Sequence, residues 1–421
     1  MAERTERVDV AVVGCGPGGA VLAYLLARSG ARVALVEREA TFEREYRGFG
    51  WNPGVARLFD EMDVLDDVLS LSHETVTEGA LVVAGERVPL VDFAALDADY
   101  PYLLMLEQPR LLERLVERAD AYDGFSFHPA TTVTDLRTRE DGTVEGVDAT
   151  DRRADETVAF EASVVVGADG RYSTVRERAG IDGGRFDSPI DLVWFTLPRD
   201  SLAVDAQGHV ERAGVLVSFG LGGDAVQVGY PIRDGEWPAL REAGFAAFRE
   251  RVATIDARLG SAMAAHLDGF DDAALLDVAP GLAPTWTRDG LLLVGDAAHT
   301  ASPIGAQGNP LAVEDAVVAH AVVADALDSG DASATALGRF ESRRRAHVER
   351  VIALQRRAAD ALAAWLDHGR AVPAWLLRAA ARAAGYVFPT LPSVRAVVET
   401  LALGDRDVRV ARSRFADAYG Q

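Results

Sequence analysis

Apolar and polar positions over the first forty residues follow the order strand, turn, helix, strand. A mostly apolar run over Val8–Val13 predicts a buried parallel strand, and Ala20–Ser29 predicts a helix that Gly30 ends. Arg32–Val36 predicts the second strand, with Glu37 at its end. Strand, helix and strand in this order predict the start of an α/β domain built on a parallel sheet.

Glycines stand at fixed positions in the turn between the first strand and the helix. Gly14, Gly16 and Gly19 have G-x-G-x-x-G spacing, in which the first glycine allows the tight turn, the second lets a pyrophosphate approach the backbone, and the third lets helix and strand pack closely. Glu37 follows Gly14 by 23 residues, where a carboxylate accepts a ribose hydroxyl and repels a 2′-phosphate. We predict a dinucleotide site here, the alternative being a glycine-rich turn without a ligand.

The same strand-and-turn ending occurs twice more along the chain. The apolar strand Phe160–Val166 runs into a glycine turn with Asp169, which either stabilises the turn or marks a second backbone approach to the same ligand. The apolar strand Leu291–Val294 runs into a second turn with Asp296, suited either to bind a polyol hydroxyl or to cap the loop.

Predicted helices follow both of these later turns. Ser173 is expected to cap a short helix over Thr174–Ala179, and Asn309 is expected to cap a long helix that starts at Pro310. The second helix would present its positive N-terminus to a ligand. His299, in the loop before it, fits a hydrogen-bonded loop histidine better than a proton shuttle.

Two segments change the pattern from α/β to β. Thr75–Val91 predicts a hairpin that leaves the first sheet, and residues 181–283 predict further strands with a helical stretch at Trp237–Ala265. We expect both to form one second sheet. Its aromatic residues favour sheet packing over substrate contact: Trp194, Phe195, Phe219 and Tyr230. No spacing anchors a substrate contact here, and no metal-spaced His/Cys cluster occurs.

Three helices are predicted near the C-terminus, at Phe340–Trp365, Val372–Gly385 and Ser393–Leu403. They either pack on the nucleotide domain or form a subunit contact, so a homodimer stays open.

Chain length and net charge limit the number of domains and the classes of partner that we expect. The chain has 421 residues, which favours two closely joined domains, and it carries 65 acidic against 43 basic residues, all of them arginine. A net charge of −22 argues against nucleic acid and anionic membranes as partners, and the spread of carboxylates is typical of a halophilic surface. The charged N-terminus leaves no room for a signal peptide, no apolar run is long enough for an integral membrane span, and the lone Cys15 suits a reducing cytoplasm.

Taken together, the three turns resemble a known family of flavoproteins. The matching residues are Gly14-x-Gly16-x-x-Gly19 with Glu37, then Gly167-Ala-Asp-Gly170-x-x-Ser173-x-x-Arg176, then Gly295-Asp296-Ala-Ala-His299 followed by Pro303 and Gly305-x-x-Gly308. In this order, over residues 8 to about 325, they resemble the group A flavoprotein monooxygenases, the aromatic hydroxylases typified by p-hydroxybenzoate hydroxylase.

The resemblance implies an α/β fold of the p-hydroxybenzoate hydroxylase type: a Rossmann-like FAD-binding domain, an interleaved β-sheet substrate domain and C-terminal helices. The implied boundaries are 1–74, 101–182 and 284–365 for the discontinuous FAD-binding domain, 75–100 and 183–283 for the substrate domain, and 366–421 for the C-terminal helical segment.

It also implies roles for residues of this chain. The first motif with Glu37 would bind the ADP half of FAD, Asp169 would serve the pyrophosphate and the passing nicotinamide cofactor, and Asp296 would hold the ribityl chain. Pro303 would lie beside the reactive face of the isoalloxazine as the one residue near the chemistry, and the backbone from Gly308 would donate to the pyrimidine edge. The full implied cofactor-binding set is Gly14, Gly16, Pro17, Gly18, Gly19, Glu37, Arg38, Arg47, Gln108, Asp169, Gly170, Gly295, Asp296, Pro303, Gly305, Gly308 and Asn309.

The implied reaction is hydroxylation of an apolar, aromatic or polycyclic small molecule with NAD(P)H and O2, through a flavin C4a-hydroperoxide. Two alternatives stay open: an FAD-dependent reductase of isoprenoid double bonds, and a non-catalytic flavin-binding module. The reductase type is disfavoured because its aromatic-rich box is missing and the His of Gly295-Asp-Ala-Ala-His299 is present.

One position departs from the family pattern. Where the family continues Gly–Leu–Asn, this chain has Gly308-Asn309-Pro310, and proline has no N–H. One of two amide donors to the flavin C2 oxygen is therefore expected to be missing, which affects oxygenase rate more than flavin binding. The Asn309 side chain is a candidate replacement.

Overall fold

The computed structural model describes residues 4–42, 48–201, 207–221 and 223–416. Its first sheet has eight strands: β1 (Arg4–Val13), β2 (Val33–Val36), β8 (Phe125–His128), β9 (Thr131–Thr138), β10 (Val144–Asp151), β11 (Glu156–Gly167), β18 (Thr287–Arg288) and β19 (Leu291–Leu293). The main order is β18-β19-β11-β1-β2-β8, and β9 and β10 extend from β11 as an antiparallel hairpin.

The central strands of this sheet run parallel. β1 pairs with β2 on one side and β11 on the other, and β11 pairs with β19. The helices on this part of the chain are α1 (Pro17–Arg28), α2 (Pro53–Glu61), α3 (Leu65–Ser70), α4 (Gln108–Ala119), α5 (Thr174–Arg178), α9 (Gly308–Ser329) and α10 (Ala334–His368). The first predicted strand, helix and strand are confirmed, each within a few residues of its expected bounds.

The second sheet has seven strands: β5 (Glu78–Val83), β6 (Glu86–Asp92), β12 (Ile190–Pro198), β13 (Gln207–Glu211), β14 (Gly214–Gly220), β15 (Ala225–Arg233) and β16 (Ala273–Leu276). Their order is β16-β12-β15-β14-β13-β5-β6, so the predicted hairpin does join the sheet built from the later β region. One face is covered by α6 (Trp237–Ala243), α7 (Phe245–Ile255) and α8 (Ala257–His266), which divide the predicted helical stretch at Gly244 and Asp256.

The described residues also form two small sheets of short strands, one with three strands and one with two, and the C-terminal helices pack against other elements of the chain. The short strands are β3 (Gly50–Trp51), β4 (His73–Val76), β7 (Leu103–Leu106), β17 (Gly281–Leu282) and β20 (His299–Thr300). α11 (Ala374–Val387) packs on β6 and α12 (Pro392–Leu403) packs on α2, where Asn52 Nδ2 donates to the carbonyl of Leu401 at 3.0 Å. The C-terminal helices therefore do pack within the chain; a subunit contact stays a prediction, as do the domain boundaries. No helix in the described ranges has the length and apolar character needed to cross a bilayer.

A neutral histidine is buried where α9 meets the end of α1. His320 is fully buried, with Nε2 2.8 Å from the Ser29 hydroxyl, which itself donates to the carbonyl of Leu25. The hydroxyl therefore accepts from Nε2–H, and Nδ1 has no partner among the described residues. Burial, together with the nearby charge of Arg414, lowers the pKa of His320 from 6.5 to about 4.

His320 makes stability fall at mildly acidic pH. The unfolded chain takes up a proton near pH 6.5, whereas the folded protein resists it until about pH 4, so the unfolded state gains protons first as pH falls. Between pH 7 and pH 5 we expect a loss of about 2 kcal/mol in the free energy of unfolding from this group. In His320→Gln, whose amide still donates to Ser29 and does not titrate, urea unfolding at both pH values should show that much less pH dependence. Equal pH dependence in both proteins would contradict this assignment.

Candidate functional site

Three turns leave the parallel sheet side by side at its carboxyl edge. The register pairs Val13 with Gly167 and Gly167 with Leu293, the last residues of β1, β11 and β19. The backbone bonds continue past the strands, since Ala168 N donates to Val13 O at 2.8 Å and Val294 N donates to Gly167 O at 2.9 Å. The three motif stretches that lie far apart in the sequence therefore meet at one site.

The first turn is closed on the protein side and open on the other. Gly14 has φ +100°, and a Cβ there would lie 2.5 Å from the carbonyl oxygen of Ala168 in the second turn. A Cβ at Gly19 would lie 1.9 Å from the Gly14 oxygen, because helix and strand are in contact there. A Cβ at Gly16 would meet nothing within 4 Å. The glycine at the middle position is therefore not needed for packing, which is what backbone approach by a ligand requires.

The start of α1 adds two more residues of the predicted set. Pro17 is the first residue of the helix. Gly18 faces the carbonyl of Ala312 in α9, which would lie 3.2 Å from a Cβ. The N-terminal ends of α1 and α9 are thus neighbours, and their dipoles favour an anionic group between them.

Glu37 links the first turn to the end of β2. Its Oε2 accepts the amide of Cys15 at 2.7 Å and its Oε1 accepts the amide of Glu39 at 2.9 Å. The side chain is buried and orients the glycine loop. An ionised carboxylate has further lone pairs, so this geometry remains compatible with a ribose hydroxyl.

The second turn is organised by Asp169. Its Oδ1 accepts the Ser173 hydroxyl at 2.5 Å and its Oδ2 accepts the amide of Val175 at 3.1 Å, while Ser173 caps α5 by accepting the amide of Arg176 at 2.9 Å. The prediction of Ser173 as an N-cap is confirmed. Burial raises the pKa of Asp169 against these hydrogen bonds. The turn-stabilising role is thus present, and Gly170, with φ +82° and an open Cβ position, leaves room beside it.

Arg176 connects the second turn to the third. Its guanidinium donates to the carbonyl of Ala297 at 2.9 Å and to that of Arg171 at 2.8 Å. Asp296 precedes Ala297 in a short helical turn that starts at the positive-φ Gly295. The residue expected to hold the ribityl chain therefore sits in a loop held from both neighbouring motifs.

Asp315 holds the third turn from within α9. Its Oδ2 accepts the amide of Gly295 at 3.0 Å and lies 2.6 Å from His299 Nε2, and its Oδ1 accepts Nε of Arg344 at 2.8 Å. Burial pushes the pKa of Asp315 upward, but His299 and Arg344 outweigh it and hold that pKa at about 2. His299 is buried and hydrogen-bonded, as the loop interpretation expects.

Arg344, in α10, is the centre of this buried charge cluster. It also contacts Glu314 Oε2 at 2.6 Å and Asp405 Oδ2 at 3.1 Å, and the amide of Asp405 donates to Glu314 Oε1 at 2.9 Å. The side chain of Arg344 is completely buried, and its carboxylate partners raise its pKa against the cost of burial. The cluster therefore fixes α9, α10 and the C-terminal segment to one another.

The segment from Pro303 to Asn309 forms the flavin side of the predicted site. Pro303 is half-buried, and Gly308 is the first residue of α9 with an open Cβ position. The prediction of Asn309 as the N-cap is wrong: the cap is Gln307, and Asn309 lies inside the first turn. The physical reason is that Asn309 Oδ1 accepts Nε2 of Gln108 at 2.9 Å, and this contact holds the side chain away from the cap position.

The contact between Gln108 and Asn309 brings the start of α4 to the third stretch, beside Gly48, where a Cβ would lie 2.3 Å from the Asn309 amide nitrogen. Gly305 has φ +73° in the same segment. Arg38 is exposed and paired with Glu39 at 3.2 Å. Arg47 lies outside the described residues. Binding of FAD by each of these residues stays a prediction.

A cavity of about 1270 Å³ extends from Glu37 to the second sheet. It is larger than the ~300–1000 Å³ of ordinary small-molecule pockets, so it has room for more than one ligand. Its far wall includes Trp194, Thr196 and Gln227. The sequence prediction favoured packing for the aromatic residues of this sheet; Phe195 and Tyr230 do pack on Phe248 of α7, while Trp194 lies toward the cavity. Successive side chains of a strand point to opposite faces of the sheet, so the sequence of β12 already separates Trp194 from Phe195.

The residues at this edge fit FAD. The Cβ positions of Gly16, Gly170 and Gly308 are open with respect to the described residues and leave bare backbone along the three turns, and no described side chain caps the start of α9. The N-terminus of α1 suits the pyrophosphate, that of α9 suits negative charge on the flavin, and Glu37 suits a ribose. When bound, FAD would supply the redox and oxygen chemistry of this site.

Comparison with known proteins agrees with this geometry. The family model described as FAD binding domain matches residues 7–355. The 6-methylpretetramide 4-monooxygenase of Streptomyces rimosus is 38% identical over 414 residues, covering 97% of this chain and 95% of that protein. The chain belongs to the FAD-dependent monooxygenase family.

A more distant relative and a solved structure are also similar to this flavoprotein. The digeranylgeranylglycerophospholipid reductase of Methanothrix thermoacetophila is 29% identical over 357 residues, covering 82% of this chain and 85% of that protein. The crystal structure of p-nitrophenol 4-monooxygenase PnpA from Pseudomonas putida DLL-E4 superposes with a TM-score of 0.74 at 22% identity, covering 96% of this chain and 100% of that chain. The fold expected from the sequence motifs is thereby confirmed.

Gly16→Ala should separate cofactor binding from folding in this flavoprotein. The added methyl group meets no atom of the described residues within 4 Å, so the free energy of unfolding of the FAD-free protein should change by about 1 kcal/mol or less. It occupies the space from which a pyrophosphate approaches, so the dissociation constant for FAD, measured by fluorescence titration, should rise at least tenfold, or ~1.4 kcal/mol. Gly338→Ala, in the interior of α10, is the matched control and should leave FAD affinity unchanged. Unaltered FAD affinity in Gly16→Ala would show that the ligand does not approach this turn.

Arg344→Met should strongly destabilise the flavoprotein. The substitution leaves the buried carboxylates of Glu314 and Asp315 without their shared cation, which costs on the order of 3–5 kcal/mol in the free energy of unfolding. Urea unfolding measures the loss. Arg343→Met, its exposed neighbour on the same helix, should change stability by less than about 0.5 kcal/mol. A similar small effect for both variants would rule out the cluster as a major stabilising element.

Proposed function

We propose that this flavoprotein hydroxylates a polycyclic aromatic small molecule, with NAD(P)H as reductant and O2 as the oxygen source. The observation that carries the proposal is the 38% identity to 6-methylpretetramide 4-monooxygenase over nearly the whole of both chains. The meeting of the three motif turns at one sheet edge supports it, because it provides one continuous site for FAD.

The residues of the chain divide the work of binding and orientation. The backbone amides of the turns at Gly16 and Gly170 would donate hydrogen bonds to the phosphates, and Glu37 would accept a hydrogen bond from a ribose hydroxyl. The N-terminal end of α9 offers the amides of Gly308 and Asn309 but none at Pro310, and its dipole stabilises negative charge on the reduced flavin. The Asn309 carboxamide contacts Gln108 through Oδ1, so its Nδ2 donor would add to the helix dipole and the backbone amides.

The far wall of the cavity suits a flat, uncharged substrate. The ring of Trp194 lies against Gly229, where a Cβ would come within 2.6 Å of it, and contacts Phe219 edge-on with ring centres 5.8 Å apart. Phe219 in turn lies 5.9 Å from Phe49, next to the flavin side. Among the described residues, the charged lining of the cavity consists of six carboxylates and one arginine: Glu37, Glu39, Glu107, Glu113, Asp271, Asp272 and Arg110. This charge disfavours an anionic substrate.

Reduction of an isoprenoid double bond is the second candidate. It is favoured by the 29% identity to digeranylgeranylglycerophospholipid reductase. Both reactions use a bound flavin and an apolar substrate, so the fold alone does not separate them. Product mass does.

The decisive test is turnover with a panel of polycyclic phenols, quinones and isoprenoids. We expect the purified protein to be yellow, to consume NADH or NADPH faster when a polycyclic phenol is present, and to release a product heavier by one oxygen atom. Mass spectrometry with 18O2 should place the label in that product.

Three outcomes would contradict this function. A product heavier by two hydrogens would establish the reductase. Protein that stays colourless with added FAD would contradict both enzymes. Consumption of NADH and NADPH that no compound accelerates would favour a flavin-binding module without catalysis. The assay is run across salt concentrations up to the molar range, since the acidic surface predicts a halophilic protein.

A further inference from the structure

A buried glutamine on α10 forms hydrogen bonds to the backbone on both sides of Pro303. The side chain of Gln355 is 3% exposed. Its Oε1 accepts the amide of Ser302 at 3.1 Å, and its Nε2 donates to the carbonyls of Ser302 and Ile304, each at 2.8 Å. All three backbone groups flank Pro303, so one carboxamide holds both sides of the residue.

Pro303 explains why a side chain is needed for this. Proline has no N–H and cannot pair with a neighbouring strand at that position, so the segment is unable to join a regular backbone ladder. Unpaired buried amide and carbonyl groups are costly, and the Gln355 carboxamide satisfies them with the donor and acceptor pattern of a strand.

The residues that follow are conformationally strained and are held at their other end. Gly305 has φ +73°, and Ala306 has φ +53°, which disfavours a residue with a side chain. Gln307 Nε2 donates to the carbonyl of Gly305 at 2.7 Å and to that of Leu401 in α12 at 3.1 Å. The strained turn therefore lies between two glutamine contacts that come from different parts of the fold.

We propose that Gln355 is a positioning residue that keeps Pro303 and the turn after it in the conformation that receives the isoalloxazine of FAD. The inference rests on the proposed function, together with the family resemblance, which implies that the isoalloxazine lies beside Pro303. Gln307 supports the same conformation from the side of α9. Each side chain would act through the backbone of this segment, to which it is hydrogen-bonded, and not by contact with the isoalloxazine.

The test compares Gln355→Met with Val348→Ala. Methionine fills a similar volume and removes all three hydrogen bonds, whereas Val348→Ala destabilises the same helix two turns away without touching the segment. At a temperature where both variants are folded by far-ultraviolet circular dichroism, we expect the FAD dissociation constant to rise about tenfold in Gln355→Met and to stay within about twofold of wild type in Val348→Ala. The visible circular dichroism of bound flavin should change only in Gln355→Met.

Two further variants keep the inference testable if Gln355→Met does not fold. Gln355→Glu preserves the shape and the acceptor for Ser302 N–H but removes both donated bonds, and Ala306→Gly removes the strain that the contacts maintain. Gln355→Glu should weaken FAD binding and alter the flavin spectrum, whereas Ala306→Gly, which adopts φ +53° without a Cβ penalty, should leave FAD affinity within about twofold of wild type and restore part of the affinity when it is combined with Gln355→Glu. Wild-type affinity and an unchanged spectrum in the folded Gln355 variants would overturn the inference. Wild-type protein that binds no FAD would instead overturn the proposed function.

Discussion

Parallel pairing of β11 with β1 on one side and β19 on the other is the constraint on which the rest of the structure depends. The register ends the three strands level with one another, so the chain turns away from the sheet three times at neighbouring positions. These turns crowd each other: a Cβ at Gly14 would strike Ala168, and a Cβ at Gly167 would lie 2.8 Å from side chains of Leu293 and Val175. Only very small residues satisfy this packing, and the same bare backbone then remains available to a ligand on the open side.

Level strand ends do not by themselves place the third turn, and a buried charge cluster completes the arrangement. Asp315 joins the Gly295 amide to His299 and Arg344, so the loop that carries Asp296 is tied to α9 and α10 together. Burying three carboxylates around one arginine is costly, and an apolar cluster would pack as well. The charged groups add specificity, because the geometry of their hydrogen bonds fixes how the loop and the two helices lie relative to one another.

The sequence predicts the first half of this site well and the second half poorly, for a physical reason. The glycine loop and the Ser173 cap are determined by residues within a turn or two of each other, and Glu37 follows Cys15 by 22 residues at the fixed spacing of the motif, so spacing identifies all three. The position of Asn309 is set by Gln108, which lies 201 residues away, and local capping preference therefore predicts the wrong role. The Arg344 cluster and the lining by Trp194 likewise depend on which helix or sheet face meets which, information that no local pattern contains.

The two ends of the cofactor site are consequently held by different physical means. At the ADP end, short-range geometry suffices: a tight turn, a helix start and one carboxylate that accepts two backbone amides. At the flavin end the backbone departs from regular structure at Pro303 and adopts a strained turn at Ala306, so its shape has to come from elsewhere in the chain. Gln355 from α10, Gln307 and the α12 carbonyl of Leu401 provide it. The end that we propose receives the isoalloxazine is therefore the end whose backbone is held by distant parts of the chain, and α12 contributes to it although no local motif in that helix indicates this.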